Sequence, residues 1–331
     1  MMGKLKKLTG YRLFLPLSCL IIVLLINLIT TPTFFRITIN NGVLYGYIID
    51  VINRASELVV LAVGMTLVVS ASAGTDISVG AVMAVSAAVC TRVLAGGEVS
   101  VNEYANPYIL AVLAALAAAV VCGGFNGFLV AKLKIQPMVA TLILFTAGRG
   151  ISQLVTNGQI TYIRVDGYKL LGNNIPGIPI PTPIFVAVIV VVLTYILLKK
   201  TAMGMYIQSV GINERASRLV GLKSVKIIWM AYAFCGLCAG IAGLVASSRI
   251  YSADANNIGL NMELDAIAAV ALGGNSLATT LYAMSVPADQ IPVYKAIVVI
   301  LIVAVQSEEL KKFRKRLASR HASGNVEGGA A

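Results

Sequence analysis

Long apolar stretches, separated by short polar segments, recur along the whole chain. Nine of them are candidate membrane-spanning helices: residues 11–31, 51–73, 77–95, 108–131, 137–156, 183–198, 226–248, 262–274 and 291–306. A helix crosses the hydrocarbon core of a bilayer with about 20 predominantly apolar residues, and the longer stretches reach that length. The pattern therefore predicts an all-α, polytopic membrane protein with about nine transmembrane helices.

Composition agrees with this class of protein. Hydrophobic residues make up 58% of the 331 residues and charged residues only 12%, and the mean hydropathy is +0.87. Soluble domains carry about a quarter charged residues, so a water-soluble fold could not cover its surface with so few charges. The formal net charge of +12 comes from basic residues between the apolar stretches and at the chain ends. We therefore expect contact with membrane lipid, and no nucleic acid as a partner.

Loop charge predicts an orientation, because cytoplasmic loops of membrane proteins collect Lys and Arg. The basic start of the chain and the most basic internal loop, residues 199–226, are predicted on the cytoplasmic side. Lys132 and Lys134 mark a further cytoplasmic turn. The segments predicted outside are the connection around Glu98 and Glu103, residues 157–183 and residues 249–261.

The C-terminal region conflicts with this orientation. Residues 311–316 (KKFRKR) form a basic cluster that is predicted to be cytoplasmic. Nine spans that start inside would leave this cluster outside, and residues 278–290 are too short and too polar for another crossing. One span is therefore predicted to be missing after Leu277.

Several motifs resemble those of one transporter family. Residues 73–80 (AGTDISVG), 210–216 (VGINERA) and 253–274, together with KIQP at 134–137 and GRG at 148–150, carry the resemblance. The chain resembles the permease subunits of ribose-, xylose- and galactose-type sugar ABC importers, and the last three stretches most resemble the galactofuranose permeases of that family. The resemblance covers nearly the whole chain.

The resemblance has consequences for the fold. It implies ten transmembrane helices and a Gly-rich continuation after Gly273–Gly274, whereas this chain passes directly from Leu277 to a polar segment. Family comparison and loop charge thus both predict that one helix is absent after Leu277. The predicted organisation is a cytoplasmic N-terminus (1–10), a transmembrane permease domain (11–306) that contains a cytoplasmic coupling loop (199–226), and a cytoplasmic basic tail (307–331).

The resemblance also implies a function. The chain would be the multi-pass, inner-membrane permease subunit of an importer that translocates a sugar, such as galactofuranose or another monosaccharide. The implied partners are cytoplasmic ATPase subunits, a periplasmic sugar-binding protein and a second permease subunit, identical or paralogous. The sequence has no Gly-Lys-Ser/Thr phosphate loop and a single histidine, His321. We therefore expect no catalytic residues, no metal and no cofactor, with ATP bound and hydrolysed by the separate ATPase.

The coupling loop holds one set of candidate functional residues. In the family, a short helix at this place docks on the ATPase, and the polar run ends at a glycine that suits a helix stop. An ordinary solvated loop that supplies positive charge is the alternative, and the resemblance favours coupling. The candidates are Gly211, Asn213, Glu214, Arg215, Ala216, Arg218 and Gly221.

Polar residues in or beside the spans are candidates for the translocation path. They are Asn53, Asp76, Ser78, Asn126, Gln136, Thr141, Arg149 and Gln153. Asp76 either lies at a helix break beside the path or, with Ser78, caps the next helix by accepting bonds from its free N–H groups. Hydrogen bonding between helices is the alternative for the whole set, and Arg149 could instead extend towards the outer surface.

Two other transporter classes stay open on the sequence. A related permease for branched-chain amino acids would need fixed charges for a carboxylate and an ammonium group. An ion-coupled secondary transporter would need acidic or histidine side chains deep in its helices. The scarcity of charges within the spans favours a neutral sugar.

Overall fold

The computed structural model describes residues 43–272 and, before them, residues 21, 23–26, 28–29, 31 and 33–40. The chain divides into two compact units, one formed by residues 33–271 and the other by residues 1–32 with 272–331. In the second unit, the described residues between 21 and 29 are helical, within the predicted first span. The first unit contains most of the residues that the structure describes.

Helices dominate this unit. Its α-helices are α1 (Tyr47–Ser72), α2 (Val79–Ala95), α3 (Tyr108–Ala131), α4 (Pro137–Val155), α5 (Thr182–Lys200), α6 (Ala202–Ile212), α7 (Glu214–Leu219), α8 (Ser224–Ile250) and α9 (Met262–Leu272). A 3-10 helix lies at Asp166–Leu170, and the short strands are β1 (Thr38–Asn40), β2 (Val43–Tyr45), β3 (Ser100–Val101), β4 (Thr161–Ile163) and β5 (Ser252–Ala253).

The predicted spans between residues 51 and 248 coincide with helices to within four residues. Five helices, namely α1, α3, α4, α5 and α8, are long and apolar enough to cross a membrane, and α2 is a shorter apolar helix. The all-α polytopic class is thus confirmed. The predicted span 291–306, the missing helix after Leu277 and the predicted tails 1–10 and 307–331 lie outside the described residues, as does the end of the span 262–274.

Loops with the same predicted sidedness meet in the structure. A three-stranded sheet joins three segments predicted outside: β3 pairs with β4 in parallel and β4 pairs with β5 in antiparallel fashion. At the opposite side of the bundle, one cavity is lined by the end of α1, the α3–α4 turn, α6 and α8. The turn and α6 belong to segments that are predicted to be cytoplasmic. The grouping agrees with the orientation that loop charge predicts.

Helix α8 packs at the centre of the bundle against α1, α2 and α3. A Cβ atom placed on Gly123 would lie 2.9 Å from the Cα atom of Gly236, and the reverse substitution gives the same distance. Only glycine allows the backbones of α3 and α8 to approach so closely. Small residues serve this purpose in membranes, where helices associate by van der Waals contact rather than by a hydrophobic drive.

The orientation can be tested by thiol labelling in intact cells. Cysteines introduced by Glu103→Cys and Arg215→Cys occupy exposed positions at the two ends of the bundle. We expect a membrane-impermeant maleimide to label position 103 in intact cells and position 215 only after permeabilisation. The parent chain measures the background from its own five cysteines. Labelling of position 215 in intact cells would show that the orientation is the reverse of the predicted one.

Candidate functional site

The predicted short helix of the coupling loop is present as α7. The side chain of Asn213 caps it, because its Oδ1 atom accepts a hydrogen bond of 3.0 Å from the backbone N–H of Ala216. Gly221, two residues after the helix ends, has φ +86°, a conformation that favours glycine. Arg215 and Ala216 are exposed on the helix surface. The local sequence therefore builds a rigid helical turn between α6 and α8.

Glu214 connects this helix to its surroundings. Its Oε1 atom accepts hydrogen bonds from Arg218 Nη2 (2.5 Å), Ser224 Oγ (3.0 Å) and Lys134 Nζ. Partial burial raises the pKa of Glu214, but the hydrogen bonds from Lys134, Arg218 and Ser224 outweigh this effect and hold the pKa below its ordinary value. The carboxylate therefore stays ionised and keeps α7 attached to the α3–α4 turn and to α8.

Helix α6 precedes α7 within the coupling loop and is held against α1. A Cβ atom on Gly211 would collide with the carbonyl oxygen of Ser70, so glycine is needed for this contact. Around α7, the apolar side chains of Ile212, Leu219 and Val220 are 86%, 89% and 77% exposed. The sequence analysis did not single out these three, although apolar residues in an otherwise basic loop were a usable signal.

Four of the pathway candidates form one buried hydrogen-bonded cluster. Asp76 Oδ1 accepts hydrogen bonds from the backbone N–H and the hydroxyl group of Ser78, at 2.8 and 2.6 Å. Asn126 Nδ2 donates to Ser78 Oγ at 2.8 Å, and Thr141 Oγ1 accepts from the backbone N–H of Ile77 at 3.2 Å. Asp76, Ser78, Asn126 and Thr141 are all buried. In this conformation the cluster joins α2, α3 and α4.

The cluster lies where the chain breaks between α1 and α2. Helix α1 ends at Ser72, Ala73 is left-handed with φ 51°, and α2 begins only at Val79. Asp76 satisfies a backbone N–H group at the opening of α2, as the capping alternative predicts, whereas the side chain of Ser78 makes no capping bond to α2. Thr141 lies four residues, or about 6 Å, inside the start of α4.

Two of the family-like motifs pack against each other. A Cβ atom on Gly80, in the first turn of α2, would collide with the carbonyl oxygen of Gly259 and with Glu263 Oε2. Glu263 is buried in the first turn of α9. The starts of α2 and α9 therefore lie side by side, and a glycine at position 80 makes room for the second motif.

Arg149 and Gln153 join α4 to the segment between β5 and α9. Arg149 Nη1 donates to the carbonyl oxygens of Ala255 (3.0 Å) and Ile258 (2.5 Å). Gln153 Nε2 donates to Asn256 Oδ1 at 2.6 Å. The Arg149 side chain is thus directed at backbone carbonyl groups within the protein.

The remaining pathway candidates lie elsewhere. The backbone oxygen of Asn53 accepts a hydrogen bond of 3.1 Å from Arg249 Nη2, beside an Arg249–Glu57 ion pair of 2.8 Å that the sequence analysis missed. Gln136 lines the cytoplasmic cavity near Lys134. The eight candidates therefore occupy four separate places, and only Asp76, Ser78, Asn126 and Thr141 form one site. Among the residues that the structure describes, no cluster of three or more His, Cys, Asp or Glu side chains could hold a metal ion.

A bundle of apolar helices, five of them long enough to cross a membrane, indicates a multi-pass membrane protein. A family model described as "Branched-chain amino acid transport system / permease component" matches residues 47–307. The chain belongs to this family, the permease subunits of ABC importers. No solved structure matches it.

Similar proteins come from several bacteria. The chain is 40% identical to the galactofuranose transporter permease protein YtfT of Escherichia coli K12, over 92% of each chain. It is 34% identical to the fructose import permease protein FruF of Bifidobacterium longum, over 96% of this chain and 94% of the relative. It is 35% identical to the ribose import permease protein RbsC of E. coli K12, over 79% and 77%.

Family membership confirms the resemblance seen in the motifs and settles several general points. Such a permease is a multi-pass inner-membrane protein and a transport component, not an enzyme, and the ATPase is a separate subunit. An ATPase and a substrate-binding protein are its partners in general. The comparisons therefore support an ABC importer permease over the alternative of an ion-coupled secondary transporter.

The contact between the two motifs can be tested with a matched pair of glycine substitutions. Gly80→Ala should lower the free energy of unfolding by about 1–3 kcal/mol, because its methyl group overlaps Gly259 and Glu263. Gly150→Ala is the control, since a Cβ atom there meets no atom within 4 Å, and it should leave stability equal or slightly higher. Unfolding midpoints in detergent measure both. Equal midpoints for the two variants would contradict the packing described.

Proposed function

We propose that this chain is the translocating subunit of an importer for a neutral sugar, galactofuranose or another monosaccharide. The observation that carries the proposal is the similarity along more than 90% of the chain to permeases named for galactofuranose and fructose. The family model is named for branched-chain amino acid transport, whereas its members include relatives of this chain that are named for sugars. The relatives favour a sugar within that group.

The chemistry of the interior supports a neutral substrate. A sugar presents hydroxyl groups, for which amide and hydroxyl side chains such as Asn126 and Thr141 are weak, replaceable partners. Two buried acidic residues have partners within the chain: Glu57 pairs with Arg249, and Asp76 accepts hydrogen bonds from Ser78. An amino-acid substrate would need fixed charges for its carboxylate and ammonium groups, and unpaired charges are costly inside a membrane.

The proposed mechanism is alternating access driven by the ATPase subunits. Two permease subunits, identical or paralogous, would form the path, and the binding protein would deliver sugar to the outer loops. ATP binding would close the ATPases and move the permease helices through the coupling loop 199–226. The permease would need no cofactor of its own, because the partner ATPase binds ATP. The tails 1–10 and 307–331 would lie on the cytoplasmic side with this loop.

Helix α7 is the proposed docking element. Its exposed apolar neighbours Ile212, Leu219 and Val220 lie on the predicted cytoplasmic side, where contact with water is unfavourable until a partner covers them. A short helix held at its start by Glu214 would receive the motion of the ATPase as a rigid body. This arrangement supports the coupling role that the family resemblance implies.

Docking can be tested with two matched substitutions of exposed apolar residues. Leu219→Asp should weaken copurification of the co-expressed ATPase by about tenfold or more, because a charge enters the proposed contact. Val99→Asp makes the same chemical change in an outer loop, where Val99 is also exposed, and should leave copurification unchanged. Equal retention of the ATPase by both variants would argue against docking at α7.

Substrate class can be tested by uptake into vesicles that contain the permease, its ATPase and its binding protein. Labelled galactofuranose, ribose or fructose should accumulate with ATP, and leucine should neither accumulate nor compete. Vesicles without the ATPase are the control and should take up no sugar. Accumulation of leucine alone would show that the substrate is an amino acid and not a sugar. Uptake without the ATPase would contradict ATP hydrolysis as the energy source.

A further inference from the structure

The bond between Lys134 and Glu214 connects two cytoplasmic segments that are 80 residues apart in sequence. Glu214 is the first residue of α7, and Lys134 belongs to the turn between α3 and α4. Their side chains are 45% and 32% exposed, so the pair lies at the surface of this chain. Helix α7 is therefore attached to a second cytoplasmic loop as well as to α8.

The backbone at Lys134 is unusual for a lysine. Its φ angle is +58°, in the left-handed region that glycine adopts freely and a residue with a Cβ atom rarely adopts. The next residue, Ile135, continues the turn by donating its N–H to the carbonyl oxygen of Leu129. Glycine would suit the backbone here, so the lysine side chain contributes something other than turn geometry.

The same turn touches the break between α1 and α2. Three residues after Lys134, Pro137 opens α4, and its Cβ and Cγ atoms fill the space beside Gly74. Gly74 lies two residues before Asp76, which belongs to the buried cluster that joins α2, α3 and α4. Two contacts, Glu214–Lys134 and Pro137–Gly74, together with the short chain segments 134–137 and 74–76, therefore connect α7 to Asp76.

A cavity beside these contacts leaves room for movement. It has a volume of about 250 Å³ and is lined by residues of α1, the α3–α4 turn, α6, α7 and α8, among them Ser72, Gln136 and Gly211. Closely packed protein interiors resist displacement, whereas elements around a cavity can take a second position without overlap. The turn that carries Lys134 is one wall of this cavity.

We propose that Lys134 is a positioning residue that transmits the movement of α7 to the α3–α4 turn and, through Pro137 and Gly74, to the buried Asp76 cluster. The proposal rests on the proposed function of α7 as the docking helix for the ATPase. Lys134 would touch neither sugar nor ATP. Its ion pair would make the α3–α4 turn follow α7 when the ATPases close.

The variants separate this role from a merely structural one. Lys134→Gly removes the ion pair while relieving the left-handed backbone, so the fold should be as stable as the parent or more stable. Lys134→Glu places a second carboxylate beside Glu214, whereas Lys134→Arg keeps a positive charge there and leaves the other bonds of Glu214 unchanged. Lys132→Glu is the matched control, because Lys132 is an exposed lysine of the same turn.

Two measurements are made on the assembled transporter with its ATPase. The first is the ratio of sugar taken up to ATP hydrolysed in vesicles. The second is the rate at which a thiol introduced by Gln136→Cys is labelled, compared between the nucleotide-free and the vanadate-trapped complex. Position 136 is exposed and lines the cavity, so its labelling reports movement of the turn without depending on the substrate.

We expect labelling at position 136 to change on trapping in the parent and in Lys132→Glu, and to lose this change in Lys134→Gly and Lys134→Glu. The ratio of uptake to hydrolysis should fall about three- to fivefold in Lys134→Gly and Lys134→Glu and stay close to the parent value in Lys134→Arg. Retention of both signals in Lys134→Gly, or no change on trapping in the parent, would overturn the proposal. A labelling change that is present in the parent and lost in Lys134→Gly, without sugar uptake by the parent, would uphold this role of Lys134 and refute the sugar instead.

Discussion

Backbone polar groups buried in a protein need partners other than water, and the buried break between α1 and α2 is where this chain meets that constraint. The N–H group of Ala73 donates to the carbonyl oxygen of Val69. The N–H group of Ile77 donates to Thr141 Oγ1, and that of Ser78 donates to Asp76 Oδ1. Asn126 then bonds to the hydroxyl group of Ser78. Helices α3 and α4 are thereby bound to the break, and their polar residues are buried because the non-helical backbone needs partners.

Close packing around the break follows from the same requirement. Non-helical backbone is tolerated at membrane depth when protein surrounds it. Glycines allow this enclosure: Gly74 admits Pro137, and Gly80 admits Gly259 with the carboxylate of Glu263. The motifs that identify the family are thus also the places where chain segments from distant parts of the sequence meet. Their residue types are explained by contact in this conformation, before any role in transport is considered.

The cytoplasmic end is built differently, from exposed ion pairs and apolar side chains. Glu214 holds α7 through charged partners at the surface, and such bonds are individually weak and easily rearranged. The buried Asp76 cluster is the opposite case, since its bonds lie in a medium of low polarity. In a subunit that responds to an ATPase, α7 at the surface would receive the motion and the bonded interior would follow it, while the cavity beside α7 leaves room for the movement.

The sequence by itself determined the spans between residues 51 and 248, the grouping of loops and the short helix α7. These features depend on local properties: the length of an apolar run, the number of basic residues in a loop, and the capping residue Asn213 with the terminal Gly221. Family motifs added the transporter class, because residues 73–80 and 210–216 are distinctive as strings. The sequence predicts a role in the path for every polar residue in or beside a span. This criterion does not show that four of them, Asp76, Ser78, Asn126 and Thr141, lie together.

Only the tertiary structure decided which polar residues are partners. Ser78 and Asn126 are 48 residues apart, Lys134 and Glu214 are 80 apart, and Arg149 lies 109 residues from Ile258. Such pairs depend on the rotation and depth of each helix, which hydrophobic pattern leaves undefined when a span is apolar on every side. The Glu57–Arg249 ion pair could not be predicted for the same reason. Its two charges lie on separate helices, and only the packing of α1 against α8 brings them to the same face and the same depth.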